Sequence, residues 1–217
     1  MAVVVLMAVV WVSLVAVSAA SLSVDSDALF AQITDDRPTT ATTIVSDDFP
    51  TNGQLDGSVP VVAPAGSSWL VAAGQFTAQS SQAESKGNTP SRATIDLLVS
   101  NNYTASTQIS ALGSATAAGI SFLGTGGTYM YAVYDSTAGV ARIYSSTNGT
   151  PLASSAPLGA LSNFTLDVQV NQPTVTVRIN GAVVITYALA ATQTGTRAGI
   201  FANARGTTFE FFTVVSP

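Results

Sequence analysis

Hydrophobic and polar residues follow two different patterns along this chain, one before residue 37 and the other after residue 45. Residues 1–20 contain two serines but no charged side chain, proline or glycine, and apolar residues continue at helical spacing to about Asp36. Twenty helical residues span roughly 30 Å, the thickness of the hydrocarbon core of a bilayer. Arg37-Pro38 follows, and proline disfavours helix at the residue before it. We therefore predict one N-terminal hydrophobic α-helix over residues 1–36.

Three interpretations of this helix stay open. It is a signal peptide that is cleaved, an anchor that is retained in a membrane, or a helix that packs against copies of itself in a filament. Ser18-Ala19-Ala20 has the small residues that signal peptidase accepts, but the apolar run is long and no basic residue precedes it. All three interpretations place the rest of the chain outside the cytoplasm, on the cell surface, in an extracellular filament or secreted. The side chains expected to contact lipid or neighbouring copies are Val3, Leu6, Val10, Trp11, Leu14 and Val17.

The second pattern, which follows a Thr-rich linker predicted over residues 37–45, is an alternation with a period of two. Short runs rich in β-branched and aromatic residues are separated by Gly, Asn, Pro and Ser at intervals of roughly ten residues. The clearest run is TVTVRINGAVVITY (174–187), in which Asn180-Gly181 favours a two-residue type I′ turn between antiparallel strands. The pattern predicts an all-β domain over residues 46–217, an antiparallel jelly-roll β-sandwich of about eleven strands. Other predicted strands span residues 68–78, 93–100, 117–123, 129–133, 140–144, 166–170, 197–202 and 207–215.

Composition excludes several kinds of site. The chain has no cysteine and no histidine, so a disulfide framework, a thiolate nucleophile, a Cys or His zinc site and a Ser-His-Asp triad are impossible. The formal net charge is −5, and the seven Lys and Arg residues are scattered. Because binding to nucleic acid needs clustered positive charge, we expect no nucleic-acid partner.

Two resemblances to known families accompany these patterns. SDDF (46–49), Trp69, Gly74-Gln75-Phe76, RAGIFAN (197–203) and FEFFTVV (209–215), together with the hairpin, resemble the concanavalin A-like, laminin G-like jelly-roll superfamily. That resemblance covers residues 46–217 and implies a module of the kind found in glycan-binding proteins, adhesins, bacterial surface proteins and phage tails. A hydrophobic helix before a β-rich domain is similar in layout to type IV pilin-like subunits, although Val5 stands where bacterial pilins usually carry Glu.

Aromatic rings and neighbouring polar groups are the candidates for glycan contacts, because ring faces stack on sugars and polar side chains bind hydroxyls. Tyr129, Tyr131 and Tyr144 are among the candidate rings. The alternative for each candidate ring is that it packs in the core of the sandwich. Alternation puts Tyr129 and Tyr131 on the opposite strand face from Tyr134. The residues selected as ligand contacts are Tyr134, Asp135, Trp69 and Tyr103.

Carboxylates and sequons supply the remaining candidates. Asp47, Asp48 and Asp56 could hold calcium through loop oxygens, and no other cofactor is expected. Asn102, Asn148 and Asn163 begin Asn-x-Thr sequons and are possible sites of N-glycosylation. Asp96, Asp135, Asp167 and Glu210 show no paired spacing on one strand, so we expect no enzyme.

The leading hypothesis is a non-catalytic extracytoplasmic surface protein, a jelly-roll module for binding or assembly that is held by its N-terminal helix. The partners it implies are the membrane or copies of the chain through the helix, and glycans through the β domain. The alternatives are a pilin-like filament subunit, a virion tail or fibre component, and a glycan-active hydrolase.

Overall fold

The computed structural model describes residues 41–99 and 102–217, which form two antiparallel β-sheets packed face to face. Nine described strands form the first sheet: β1 Thr42–Asp47, β2 Gly53–Gln54, β4 Phe76–Gln79, β5 Gln82–Ser85, β7 Asn102–Ala111, β12 Phe164–Asn171, β13 Thr174–Ile179, β14 Ala182–Ala188 and β16 Thr208–Ser216. Seven described strands form the second sheet: β3 Leu70–Ala73, β6 Ser91–Asp96, β8 Ala117–Thr125, β9 Thr128–Asp135, β10 Val140–Ser145, β11 Asn148–Ser154 and β15 Arg197–Ala202. The prediction of an antiparallel all-β sandwich is confirmed.

Local sequence explains the best-predicted hairpin. Val175, Val177 and Ile179 of β13 are buried and alternate with half-buried polar residues. Asn180 and Gly181 have φ values of 50° and 79°, which are the two positive values that a type I′ turn requires. β13 therefore pairs with β14 on one side and with β12 on the other, as an antiparallel meander.

Two predicted boundaries differ from the structure. The first strand begins at Thr42, inside the segment assigned to a linker over residues 37–45, because Ile44 and Val45 pack on the core while β1 pairs with β16. The run 68–78, predicted as one strand, is two strands in different sheets. Gly74, with a φ of 64°, lies between β3 and β4 where the chain crosses from one sheet to the other. The division of the chain into three segments is otherwise untested.

The core lies between the two sheets and is built from the inward-facing positions of nearly every long strand. Trp69 packs its ring edge-on against Phe212, with ring centroids 5.4 Å apart, and Phe76 meets Phe209 at 6.0 Å. Tyr134 of β9 meets Phe164 of β12 at 5.1 Å, and this contact joins one sheet to the other. The alternating strands thus leave one outer face on each sheet that does not belong to this core.

The helix predicted over residues 1–36 lies outside the described residues, as do its side chains Val3, Leu6, Val10, Trp11, Leu14 and Val17. Its role as signal peptide, anchor or filament helix stays a prediction. Within residues 41–99 and 102–217, the structure contains no helix with the length and apolar character needed to cross a membrane.

Candidate functional site

The outer face of the seven-stranded sheet carries two rows of side chains that run across the strands. Strand pairing places the members of each row side by side on β10, β9, β8, β15 and β6. The first row is Arg142, Val133, Gly119, Phe201 and Arg92, and the second row is Tyr144, Tyr131, Ser121, Gly199 and Thr94. The face thus combines aromatic rings, arginines and small residues.

Tyr131 and Phe201 pack against each other and line a cleft on this face, which we call the aromatic cleft. Their ring centroids are 4.7 Å apart with an interplanar angle of 49°, and both side chains are half-buried. The cleft has a volume of about 280 Å³. Its lining consists of Thr116, Ala117, Tyr131, Val133, Asp135, Tyr144, Phe201 and Asn203.

Two arginines hold the aromatic side chains in place. The guanidinium of Arg92 lies 3.8 Å from the centroid of the Tyr129 ring, and its Nη1 donates a hydrogen bond to the hydroxyl of Tyr131. Arg142 Nη1 donates to Asp135 Oδ2 at 2.6 Å and to the Tyr144 hydroxyl at 3.1 Å. The hydrogen bond with Tyr144 is the main cause that raises the pKa of Arg142, and the negative charge of Asp135 adds to it. The cleft therefore has a fixed polar frame.

Four polar atoms on this face are buried and have no hydrogen-bond partner in the described part of the chain. They are Arg92 Nε, Arg142 Nε, Thr94 Oγ1 and Ser121 Oγ. Thr94 and Ser121 are fully buried, although they lie on the outer side of the sheet, opposite the core positions Ala93, Ile95 and Ile120. Buried polar groups in folded proteins are almost always hydrogen-bonded, so these four atoms on one face are exceptions to that rule.

Three of the rings predicted to contact a ligand are core residues, which corrects the expectation that they are exposed. Trp69, Tyr103 and Tyr134 are each at most 1% exposed. The Tyr134 hydroxyl donates to Gly159 O at 2.5 Å and accepts from Leu161 N at 3.0 Å. Tyr103 accepts from a backbone N–H and burial raises its pKa, while Trp69 donates to a carboxylate within the core. None of these rings offers a stacking face at the surface.

Of the four residues predicted to contact a ligand, Asp135 lines the aromatic cleft. Its Oδ1 accepts from the backbone N–H groups of Thr137 and Ala138, both at 3.0 Å, and its Oδ2 receives Arg142. The sequence pattern did not lead us to select Phe201, Asn203 and Arg92 as ligand contacts. Alternation in RAGIFAN does place Phe201 and Asn203 on the opposite side from Ile200 and Ala202, which is a signal that could have found them.

The predicted calcium ligands do not converge. Asp47 is buried and accepts from Trp69 Nε1 at 2.6 Å and from Phe49 N at 2.9 Å, whereas Asp48 is exposed. Asp56 Oδ1 accepts from Val71 N at 2.8 Å. Within the described ranges, no three acidic side chains come together as a metal site.

The other polar candidates are dispersed over the surface. Asn102, Asn148 and Asn163 are exposed, so each sequon is accessible, and their glycosylation stays a prediction. Asp96 and Asp135 lie on the seven-stranded sheet, whereas Asp167 and Glu210 lie on the nine-stranded sheet. Glu210 accepts from Gln82 Nε2 at 2.7 Å.

Comparisons with known proteins find structural neighbours only. No family model matches the sequence, and no curated protein matches it. The carbohydrate-binding module CBM66 from Bacillus subtilis superimposes with a TM-score of 0.51 and 13% identity, over 66% of this chain and 91% of that one. The described domain has a jelly-roll β-sandwich fold.

Two further solved structures agree with this fold. A protein of unknown function with a galectin-like fold from Bacillus subtilis gives a TM-score of 0.50 and 10% identity, over 81% of this chain and 99% of that one. A protein described with the endo-acting O-glycanases of human gut microbiota that initiate mucin breakdown gives 0.57 and 7%, also over 81% and 99%. At these identities the likeness establishes the fold alone.

Proposed function

We propose that the outer face of the seven-stranded sheet binds carbohydrate, in a non-catalytic extracytoplasmic surface protein. The observation that carries the proposal is the coincidence, on one face, of a cleft lined by Tyr131 and Phe201 with four buried polar atoms that lack partners among the described residues. The jelly-roll neighbours, which include a carbohydrate-binding module, support the choice of ligand class.

The two aromatic rings provide the apolar part of recognition. Tyr131 and Phe201 are half-buried and do not belong to the core cluster, so their exposed ring area is free to receive the C–H face of a sugar ring. Burying such area removes apolar surface from water at about 25 cal/mol per Å². A sugar bound in this cleft is therefore held by stacking as well as by hydrogen bonds.

The polar groups around the cleft are positioned before a ligand arrives. Asn203 Oδ1 accepts from the N–H groups of Thr116 and Ala117 at 3.0 Å each, and its Nδ2 donates to Thr116 Oγ1 at 2.8 Å. Asp135 is fixed by Arg142 and by its own turn. Groups that are already ordered lose little conformational entropy when they bind sugar hydroxyls, which favours affinity.

The arrangement of carboxylates supports binding without catalysis. A retaining glycosidase needs two carboxyl groups about 5 Å apart, and an inverting enzyme roughly 6.5–9.5 Å. On the strands of the candidate face, Asp96 ends β6 and Asp135 ends β9, and two strands, β15 and β8, lie between them. Asp135 is also ion-paired with Arg142 at 2.6 Å, so one of its oxygens is already occupied.

Location outside the cytoplasm rests on the uncharged apolar run of residues 1–20. Intact-mass analysis of the native protein tests it. Export is supported by either loss of about the first twenty residues or recovery of the complete chain in the membrane or filament fraction. A complete chain that is recovered in the soluble cytoplasmic fraction contradicts it.

The binding proposal is tested with the full chain on an array of neutral and acidic glycans. We expect Tyr131→Ala and Phe201→Ala to lower glycan affinity about tenfold or more, because each substitution removes a stacking surface. Phe211→Ala is the matched control, since Phe211 is a half-buried phenylalanine on the nine-stranded sheet, outside the core cluster. Absence of binding across the array, or equal losses for Phe201→Ala and Phe211→Ala, contradicts the proposal.

A further inference from the structure

A second cleft lies on the same face, beside β6 and β3. Its volume is about 400 Å³. Its polar lining is Ser67, Ser68, Thr94, Asp96 and Arg197, and its other lining residues are Ala65, Gly66, Leu70 and Leu98. We call it the arginine cleft. In the second row of the face, Ser121 and Gly199 separate Thr94 from Tyr131 of the aromatic cleft.

Arg197 is an unpaired cation in this cleft. Its guanidinium makes no hydrogen bond or ion pair with any described residue. Asp96 is its direct partner across the β15–β6 pair, yet no ion pair joins them. Asp96 Oδ1 instead accepts from Leu98 N at 3.1 Å. A half-buried arginine without a counter-ion has up to five donors available, in a planar arrangement that matches a carboxylate.

The buried hydroxyl of Thr94 is the second observation that indicates a ligand here. Thr94 is fully buried, lines the arginine cleft, and leaves Oγ1 without a partner in the part of the chain that is described. An unpaired buried hydroxyl is destabilising unless another group bonds to it. A ligand oxygen that reaches both Arg197 and Thr94 satisfies the two groups together.

The charge of the whole face points in the same direction. Its strands carry Arg92, Arg142 and Arg197 against Asp96 and Asp135, a formal charge of +1, whereas the chain as a whole has a formal net charge of −5. Arg142 already neutralises Asp135. The surplus of positive charge therefore belongs to the side of the face that includes the arginine cleft.

We propose that the arginine cleft binds the carboxylate of an acidic sugar residue, while another residue of the same oligosaccharide stacks in the aromatic cleft. This inference rests on the proposed function. The strands that carry Tyr131 and Thr94 are three inter-strand spacings apart, about 14 Å, which is longer than one sugar ring. The ligand is therefore an acidic oligosaccharide, not a single terminal sugar.

The test uses oligosaccharides of one to four residues that contain a uronic acid, each paired with the same compound after reduction of its carboxyl to the alcohol. We expect the full chain to bind the acidic compounds of three or four residues about tenfold more tightly than their reduced forms. Arg197→Gln is expected to abolish this difference between the acidic compounds and their reduced forms. Thr94→Val, which removes the hydroxyl, is expected to shrink the difference.

Arg205→Gln is the matched control, because it removes the same positive charge as Arg197→Gln. Arg205 is exposed and lies outside both clefts of this face. Equal affinity of the wild type for acidic and reduced forms overturns the inference, and so does an equal effect of Arg197→Gln and Arg205→Gln. A preference for sulfated glycans without one for uronic acids overturns it too. If short neutral sugars still bind in a manner that depends on Phe201, the proposed function survives that result, whereas absence of all binding refutes both.

Discussion

Replacing Asp47 with alanine removes the acceptor of two hydrogen bonds at the edge of the core. Asp47 Oδ2 accepts from Trp69 Nε1 at 2.6 Å, and Oδ1 accepts from Phe49 N at 2.9 Å. The Trp69 ring is 1% exposed and packs against Phe49 and Phe212, so water cannot easily replace the lost oxygen. The carboxylate therefore fixes β1 to the loop that precedes β3.

The expected loss of stability follows from these two donors. Each buried donor left without an acceptor costs about 1–3 kcal/mol, so Asp47→Ala lowers the free energy of unfolding by roughly 2–6 kcal/mol. Asp47→Asn keeps one side-chain oxygen and one acceptor role, and its loss is about 1–3 kcal/mol. At about 2–4 °C per kcal/mol for a domain of this size, Asp47→Ala lowers the melting temperature by several degrees or more.

The same carboxyl gives the stability a pH dependence. Burial raises the pKa of Asp47, an effect that the hydrogen bonds from Trp69 and Phe49 oppose and that the charge of Asp48 reinforces. The folded state therefore binds this proton more tightly than the unfolded state does. The part of the stability that comes from tighter binding of this proton is fully present below the unfolded pKa, and it is lost as the pH rises through the folded pKa. The Asp47→Asn variant has no titrating carboxyl at this position, so its stability lacks this pH dependence.

Urea unfolding of the wild type, Asp47→Ala and Asp47→Asn between pH 3 and pH 7 measures both effects. Asp48→Asn is the control, because Asp48 is the exposed neighbour. The advantage of the wild type over Asp47→Asn is expected to be larger at pH 3 than at pH 7. The reasoning fails if Asp47→Ala is as stable as Asp48→Asn, or if the advantage over Asp47→Asn grows with rising pH.

Two further substitutions test the packing that positions the face. Tyr134→Phe keeps the contact with Phe164 but removes the hydroxyl that bonds Gly159 O and Leu161 N, and we expect a loss of about 1–2 kcal/mol in urea unfolding; no loss would mean that water replaces the hydroxyl fully. Gly199→Ala places a Cβ against the carbonyl oxygen of Ala93 and 2.7 Å from Thr94 Cα, so we expect about 1–3 kcal/mol of destabilisation by the same assay. Gly149→Ala, where a Cβ meets nothing within 4 Å, is its control, and equal stability of the two variants contradicts the prediction.

Local patterns predicted the elements whose structure is decided locally. The turn at Asn180-Gly181 follows from the φ preferences of two residues, and the alternation on either side of it follows from burial of one face. Arg37-Pro38 and the apolar run before it lie outside the described ranges, so the helix over residues 1–36 stays a prediction.

The candidate site was harder to predict, because long-range packing decides which strand face is the core. Alternation correctly separated Tyr131 from Tyr134, but it could not tell which of the two packs inward. The contact of Tyr134 with Phe164, thirty residues later in the chain, decides it. Likewise, Phe201 and Arg92 reach Tyr131 only because β15 and β6 follow β8 in the sheet, an order that no single segment encodes.

A crystal structure of the full chain with the tightest-binding glycan from the array tests the central claim most directly. The account predicts a sugar ring within about 4.5 Å of both Tyr131 and Phe201, with its hydroxyls near Asp135 and Asn203. A glycan bound on the outer face of the nine-stranded sheet or on a loop, with the aromatic cleft empty, would contradict the account.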